Sequence, residues 1–215
     1  ALPWVIKPLW SPFIDLLKTK RWWVLAMQML IGSALAGIAF SIPTAFWFQA
    51  TMCLFFIIAF CSATHDVAAD GFYMIELDNH NQAKYVGLRN TFYRLAIIFV
   101  NGILVSLAGV LQVVFRNQIR FSWALIFYGL AGLFLGMWLL HCRTMPKPAD
   151  DAHTQRSMTE VANEIKTMFT TFFSKFKASE TLCVMLFLLL YRFPEALLNT
   201  MTKTFILDRK STRLN

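Results

Sequence analysis

Apolar and polar positions alternate along this chain in long blocks rather than in short periods. Four long runs are almost entirely apolar, and short polar or basic segments separate them; the runs cover 22–40, 46–74, 85–111 and 121–140. A helix needs about 20 such residues to cross the hydrocarbon core of a bilayer. The pattern therefore predicts membrane-spanning helices over these four ranges.

Further apolar stretches lie at the two ends of the chain. Residues 1–14 are predicted to form the last turns of a membrane helix, which Pro8 and Pro12 bend or end because proline has no backbone N–H. The last span is predicted at 181–207, with a kink at Pro194. We expect the chain to be a piece of a longer protein, and its final residues to be truncated or non-native.

The segments between the spans are predicted to be loops. They are Asp15–Arg21, Ser41–Ala45, Glu76–Lys84 and Gln112–Arg120. A longer hydrophilic segment follows, in which Met158, Val161 and Ile165 begin an apolar series that predicts an amphipathic helix on the membrane surface or against the bundle. We therefore divide the chain into a transmembrane bundle (1–142), a cytoplasmic linker with an amphipathic helix (143–178), one further span (179–208) and a tail (209–215).

Composition supports a membrane protein and changes the meaning of the net charge. The 215 residues are 57% hydrophobic and 15% charged, whereas soluble domains are about 45–50% apolar and about 25% charged. A net charge of +8 would suit a nucleic-acid partner, but Lys and Arg concentrate between the apolar runs. Such basic loops mark the cytoplasmic side of a membrane protein. We predict an all-α polytopic membrane protein that contacts the lipid bilayer and binds no nucleic acid.

The least expected residues lie at the end of the apolar run 46–74, in the stretch Ser62–Met74. Asp66 and Asp70 are four residues apart, which places both carboxylates on one face of a helix, and His65 precedes Asp66. A charged side chain at the bilayer centre costs roughly 2.5–3.5 kcal/mol on insertion scales. Either a structural ion pair with another helix or an ion or substrate site would explain these residues.

The helices on either side of Glu76–Lys84 should form an antiparallel pair, because the segment that joins them is short. At about 1.5 Å of rise per residue, Asp66 then lies at nearly the same depth as Arg94. By the same argument Asp70 lies opposite Arg89. We predict both ion pairs. Whether they only compensate for burial or also serve a function stays open at this stage.

Polar residues in two spans extend this set of candidates. Asn101 lies seven residues after Arg94, and so on the same helical face. In the last span, Arg192 and Glu195 flank Pro194 near the midpoint. Because transporters bind substrate at broken helices in the middle of the membrane, we predict a functional role for this pair of charges.

Other chemistries find little support in the spacing of the residues. His65, His80, His141 and His153 form no cluster typical of a membrane metalloenzyme, and no glycine-rich phosphate loop is present. We predict no metal, no cofactor and no enzymatic activity. Lys7, in the first predicted helix, either extends its ammonium group to the interface or points inward.

Three motifs resemble one branch of the major facilitator superfamily. They are Leu9–Asp15 preceded by Lys7, the run Ala63–Gly71 (Ala-Thr-His-Asp-Val-Ala-Ala-Asp-Gly) and Tyr191–Ala196. They are similar to motifs of the AmpG-type muropeptide permeases and their acetyl-CoA transporter relatives, which have glutamine at the position of His65. The resemblance covers residues 1–208 and implies the end of helix 2 through helix 7 of a twelve-helix protein, without helix 1 and helices 8–12.

In that superfamily the helix with Asp66 and the helix with Arg192 both line the central cavity. The resemblance implies proton-driven uptake of a muropeptide-like or other small solute across the bacterial inner membrane by alternating access. The residues expected in the substrate and proton pathway are Asp66, Arg94, Arg192, Glu195, His65 and Asn101. The residues expected to be gating or structural charges are Lys7, Asp15, Asp70 and Arg89.

Within such a mechanism, Asp66 or Glu195 would take up the proton, because a carboxylate that loses its arginine partner has its charged form disfavoured. Arg94 and Arg192 would hold an anionic group of the substrate. Two other function classes stay open. An intramembrane enzyme using His65 and Asp66 predicts metal in the purified protein, and a structural or sensor protein predicts that Arg192 and Glu195 pair outside any cavity.

Overall fold

The structure is a computed structural model that describes residues 7–147 and 158–175, together with residue 3 and single positions between 182 and 201. The elements formed by these residues are all helical. They are α1 (Lys7–Leu17), α2 (Lys20–Ser41), α3 (Trp47–Glu76), α4 (Asn79–Ile98), a π-helical segment (Phe99–Leu104), α5 (Val105–Val114), α6 (Ile119–Thr144) and α7 (Met158–Lys175). The predicted all-α fold class is confirmed.

Four stretches of the described chain are long and apolar enough to cross a membrane. They are Lys20–Ser41, Trp47–Glu76, Asn79–Val114 and Ile119–Thr144. Each coincides with one of the four apolar runs that the sequence pattern singles out, and only Phe46 of these runs lies just outside its helix. The chain is a multi-pass membrane protein. The span predicted at 181–207 lies largely outside the described residues.

Two of the predicted loops are shorter than expected, because polar residues cap the following helices. The Thr19 hydroxyl accepts a hydrogen bond from the Trp22 backbone N–H at 3.1 Å, so α2 begins at Lys20. Asp78 accepts from the Asn81 N–H at 3.0 Å, so α4 begins at Asn79. The predicted loops 15–21 and 76–84 were wrong in extent, since only residues 18–19 and 77–78 connect the helices.

The first helix also departs from its prediction. α1 continues through Pro8 and Pro12 and ends only at Leu17. Pro12 removes one backbone donor, the one that an uninterrupted helix would direct to the Pro8 carbonyl, and the loss of that single bond does not end the helix. Asp15 therefore lies in a helix rather than in the predicted loop.

The core of the bundle is built around α2, which packs against both α3 and α6. One buried cluster joins all three helices and contains Met27, Ile31, Leu35, Cys61 and Ala131. Gly32 lets α2 and α6 approach, because a Cβ added there would lie 3.0 Å from two atoms of the Leu135 side chain. This tight three-helix contact holds the residues of the candidate site in place.

The stretch after the second hairpin turn is different, since α4 buries none of its residues. It passes into the π-helical segment, where a continuous α-helix was predicted. Within that segment the Asn101 amide donates to the Ile97 carbonyl at 3.0 Å. In an α-helix this carbonyl would accept from the Asn101 backbone N–H, so the side chain competes for it and favours the wider turn.

The chain divides into two compact units, residues 1–155 and 156–215. The second unit contains α7, a helix that begins at Met158, where the predicted amphipathic series also begins. Its place on the membrane surface stays a prediction. So do the domain boundaries at 142, 178 and 208.

Candidate functional site

Two carboxylates on α3 form the centre of a group of charges that joins three helices. Asp66 pairs with Lys7 of α1, and Asp70 pairs with Arg89 of α4. The Arg89 guanidinium also lies 3.8 Å from Asp66, between Nη2 and Oδ1. We call Lys7, Asp66, Asp70 and Arg89 the charged cluster. The predicted pair of Asp70 with Arg89 is confirmed.

The charged cluster balances two positive and two negative groups. Its side chains are partly buried, with exposed fractions that range from 21% for Lys7 to 50% for Arg89. Taking an ion out of water is costly unless an opposite charge and hydrogen bonds compensate, and each carboxylate here has a cation beside it. Because part of every member remains exposed, the cluster lies at the edge of the packed helices rather than inside them.

The predicted pair of Asp66 with Arg94 was wrong. Lys7 and Arg89 are the cations beside Asp66, and Arg94 is exposed, with no ion pair to this carboxylate. The prediction matched the depth of the residues and ignored their angle around the helix. Five residues correspond to a rotation of about 140° on an α-helix, so Arg89 and Arg94 cannot both face α3.

The hairpin between α3 and α4 holds Arg89 in position. The Tyr73 hydroxyl donates to the Gln82 carbonyl at 2.5 Å, and the Gln82 amide donates to the Leu77 carbonyl at 2.6 Å. The Arg89 guanidinium carbon lies 6.0 Å from the centre of the Tyr73 ring, within the range of a cation–π contact. The turn residues therefore fix the register that places Arg89 beside both acids.

A second polar group lies in the packed interface of α2, α3 and α6. The Gln28 side chain is 8% exposed, and its Nε2 lies 3.2 Å from Nε2 of His65. Its Oε1 lies 3.0 Å from Nδ1 of His141. We call His65, Gln28 and His141 the amide–imidazole network. It satisfies polar atoms that would otherwise be buried without partners.

Gln28 and His141 were not among the predicted site residues. Gln28 is the one strongly polar side chain within the apolar run 22–40, and a polar residue inside a span is itself a signal. His141 follows the apolar run 121–140 and so resembles an interfacial residue. It lies in the last turn of α6, however, and its side chain hydrogen-bonds to Gln28 of α2. Neither contact follows from spacing along one helix.

The basic end of the bundle is held together by residues that were predicted to lie in a loop. Arg21 donates to two carbonyls at the end of α6, those of Cys142 at 3.0 Å and Met145 at 3.2 Å. A cation at a helix C-terminus also interacts favourably with the helix dipole. Lys20 crosses α3 at Gly71, where an added Cβ would lie 2.9 Å from its Cε.

The remaining predicted site residues are not joined to the charged cluster by the described contacts. Asn101 is exposed and bonds only within its own helix. The Asp15 side chain, Arg192 and Glu195 lie outside the described residues. Where the side chains are described, no three His, Cys, Asp or Glu residues converge as metal ligands would. The site offers paired charges and a buried hydrogen-bond network.

Comparison with known proteins gives this geometry a family context. A family model described as the BT1 family matches residues 1–205. No solved structure matches the chain.

Three relatives show what kind of protein the match covers. The anhydromuropeptide permease of Escherichia coli K12 is 24% identical over 210 residues, which is 95% of this chain and 39% of the permease. A Rickettsia typhi protein provisionally named transporter AmpG 3 is 25% identical over 232 residues, 99% of this chain and 51% of that protein. An uncharacterized Haemophilus influenzae protein is 28% identical over 217 residues, which is 96% of this chain and 47% of that protein. The chain spans about half the length of the relatives it matches.

Proposed function

The chain belongs to the BT1 family, and from that membership we propose that the full-length protein is a secondary transporter. It moves a small solute across a bacterial inner membrane by alternating access, with protons as the coupling ion. The names of two relatives support transport, since one is a permease and the other is named a transporter. An enzymatic alternative using His65 and Asp66 has no such support.

The charged cluster is the observation that carries this proposal. Asp66 lies within a membrane-spanning helix, and its two cations come from two other helices. If those helices move relative to α3, the carboxylate loses a cation in a medium of low polarity. A carboxylate in that position is expected to take up a proton, because its charged form is then the costly one. Helix movement and proton binding would thus be coupled at Asp66.

The substrate belongs to the same proposal. The name of the Escherichia coli relative points to an anhydromuropeptide, which carries carboxylates. Arg94 has no ion pair with Asp66 and is exposed, so its guanidinium is available for an anionic group of the solute. Arg192 and Glu195, on the span outside the described residues, stay part of the proposed pathway.

The test uses the full-length protein in proteoliposomes, with an anhydromuropeptide as the solute and with or without an imposed pH gradient. Asp66→Asn should abolish gradient-driven accumulation, because an amide cannot take up and release the proton. The matched control is Glu76→Gln, which removes one negative charge from the exposed end of the same helix. The control should accumulate solute as the wild type does.

Two outcomes would contradict the proposal. Wild-type accumulation by Asp66→Asn, at normal protein levels in the vesicles, would remove Asp66 from the proton pathway. No uptake by the wild type under any gradient, with correctly folded protein, would favour a structural or sensor role. Solute conversion in place of movement would favour the intramembrane enzyme.

A further inference from the structure

The role proposed for the charged cluster does not involve the amide–imidazole network, although His65 and Asp66 are neighbours in the chain. Its members come from three helices, which the network joins across the most tightly packed part of the bundle. The central amide is almost completely buried, at 8% exposure. A buried amide held between two imidazoles offers a constrained set of proton positions.

The constraint follows from the two ends of a carboxamide. The Gln28 NH2 group donates, so the imidazole nitrogen that faces it must present a lone pair. The Gln28 carbonyl accepts, so the nitrogen that faces it must carry hydrogen. Rotating the amide by half a turn exchanges the two roles and leaves this rule intact. Either way, one of the two facing imidazole nitrogens has a proton and the other does not.

This rule limits how many protons the network holds. The imidazole that faces the carbonyl can be neutral or cationic without losing its hydrogen bond. The imidazole that faces the NH2 group must stay neutral, because protonation would bring two donors together at a buried amide that has no other partner to turn to among the described residues. The network therefore accommodates one imidazolium, on His65 or on His141. The position of the Gln28 amide is linked to which of them carries it.

The helices that form the network also carry other titratable or charged groups near its members in the chain or in space. Asp66 and Cys61 lie on α3, and Arg21 of α2 bonds to the Cys142 carbonyl of α6. Lys7 of α1 and Arg89 of α4 are linked to the network through Asp66. Of these, Asp66 is the acid next to His65. Asp66 therefore links the network to the charged cluster, because a movement of Lys7 or Arg89 changes the charge beside His65.

We propose that His65, Gln28 and His141 form a binding site for a single proton, whose place on His65 or His141 is set by the orientation of the Gln28 amide. The proton joins a nitrogen lone pair of one imidazole and leaves from a nitrogen of the network, and no other bond forms or breaks. Its use in coupled transport rests on the proposed function. The exclusive binding of one proton does not.

The proposal is tested by nuclear magnetic resonance of the purified full-length protein with isotope-labelled histidine, titrated from neutral to acidic pH. In the wild type, His65 and His141 should become cationic in two steps, with the second step displaced to lower pH by at least about one pH unit. His80, which is exposed at the start of α4, serves as the internal reference. Gln28→Leu should bring the two steps together, because the shared amide is gone.

A second variant keeps the test decisive if Gln28→Leu fails to fold. His65→Gln retains a side chain that can hydrogen-bond to Gln28 and removes the competing imidazole. The titration of His141 should then move to higher pH. The matched control, His80→Gln, should leave His65 and His141 unchanged. Two independent, coincident titrations in the wild type, or a His141 titration that ignores His65→Gln, would overturn the proposal.

Transport measurements separate this proposal from the one it extends. In proteoliposomes, His65→Gln should displace the pH dependence of uptake, whereas Asp66→Asn should abolish accumulation. If Asp66→Asn transports normally while the two histidines still titrate in sequence, the single-proton site stands and the proposed role of Asp66 fails. If the histidines titrate independently while Asp66→Asn is inactive, the reverse holds.

Discussion

The two polar groups on α3 differ in kind, although they begin at adjacent residues. Asp66 and Asp70 carry full charges and face cations at the edge of the helix bundle, where part of each side chain stays exposed. His65 points about 100° away around the helix and meets a neutral amide in the packed interface with α2 and α6. One helix thus separates charges that can change partners from a hydrogen-bond network whose members stay the same.

The difference shows which group is free to change partners. A charged side chain at the edge can replace one counter-ion by another, or by a proton, without opening the bundle. The buried Gln28 amide can only exchange its two ends between the same two imidazoles, because any donor or acceptor that loses its partner there costs about 1–3 kcal/mol. We therefore expect the charged cluster to control solute movement, and the network to respond through its single proton.

The largest effect is expected from removing one cation of the cluster. Of the cation contacts that the structure describes for Asp66, Lys7→Gln in the full-length protein leaves the one with Arg89 at 3.8 Å. Gradient-driven uptake should fall at least tenfold, because Asp66 has lost one of the two cations that the proposed mechanism moves. Uptake in proteoliposomes under an imposed pH gradient measures the effect.

The double variant Lys7→Gln, Asp66→Asn distinguishes transport from structure. It removes both charges and restores neutrality, so thermal stability in detergent should return to the wild-type value. Uptake should not return, because the proposed proton site is gone. Recovery of uptake in the double variant would show that the pair only compensates for burial.

An intermediate effect is expected when the packing around the amide–imidazole network is disturbed instead of the charged cluster. Gly32→Ala places a methyl group 3.0 Å from Leu135 and 3.3 Å from Phe134, one helical turn from Gln28. The crowding should push α2 and α6 apart and lower stability by about 1–3 kcal/mol. Thermal unfolding in detergent measures the loss of stability. In the same variant, the titration of His141 should no longer depend on His65.

The control for this variant is Gly87→Ala on α4. No described atom lies within 4 Å of a Cβ at that position, so the added methyl group meets open space. Replacing a glycine in a helix by alanine should leave stability unchanged or raise it by about 0.5–1 kcal/mol. A similar loss of stability in both variants would mean that close packing at Gly32 is not the cause.

Much of the fold could be predicted from the sequence, because the bilayer restricts the solutions. The apolar runs predict the spans since every backbone group in lipid must be bonded within its own helix. Helix ends were less predictable, because Thr19 and Asp78 begin helices within segments that look like loops. The π-helical segment contains Asn101, whose side chain bonds to the Ile97 carbonyl, and periodicity contains no signal for it.

The candidate site was predictable only in part. Asp66 and Asp70 stand out as charges in an apolar helix, and equal depth predicted the partner of Asp70 correctly. Depth alone failed for Asp66, because Lys7 comes from a helix whose position depends on packing rather than on a short loop. Gln28 contacts His65 and His141, which lie 37 and 113 positions further along the chain, and no local sequence pattern encodes such contacts.

The smallest effect is expected at Arg94, and it sharpens the distinction between a structural charge and a charge available to the solute. Arg94→Gln removes an exposed guanidinium that has no ion pair with Asp66. Thermal stability should change by no more than about 0.5 kcal/mol, as for other exposed substitutions. The KM for an anionic solute should rise, while uptake of a neutral analogue should not change. Arg89→Gln is the matched comparison, because it makes the same chemical change five residues earlier on α4. It removes the partner of Asp70 and should lower stability measurably. Equal losses of stability in the two variants would show that Arg94 has a structural role. They would contradict the proposal that Arg94 is the cation on α4 that binds the anionic solute.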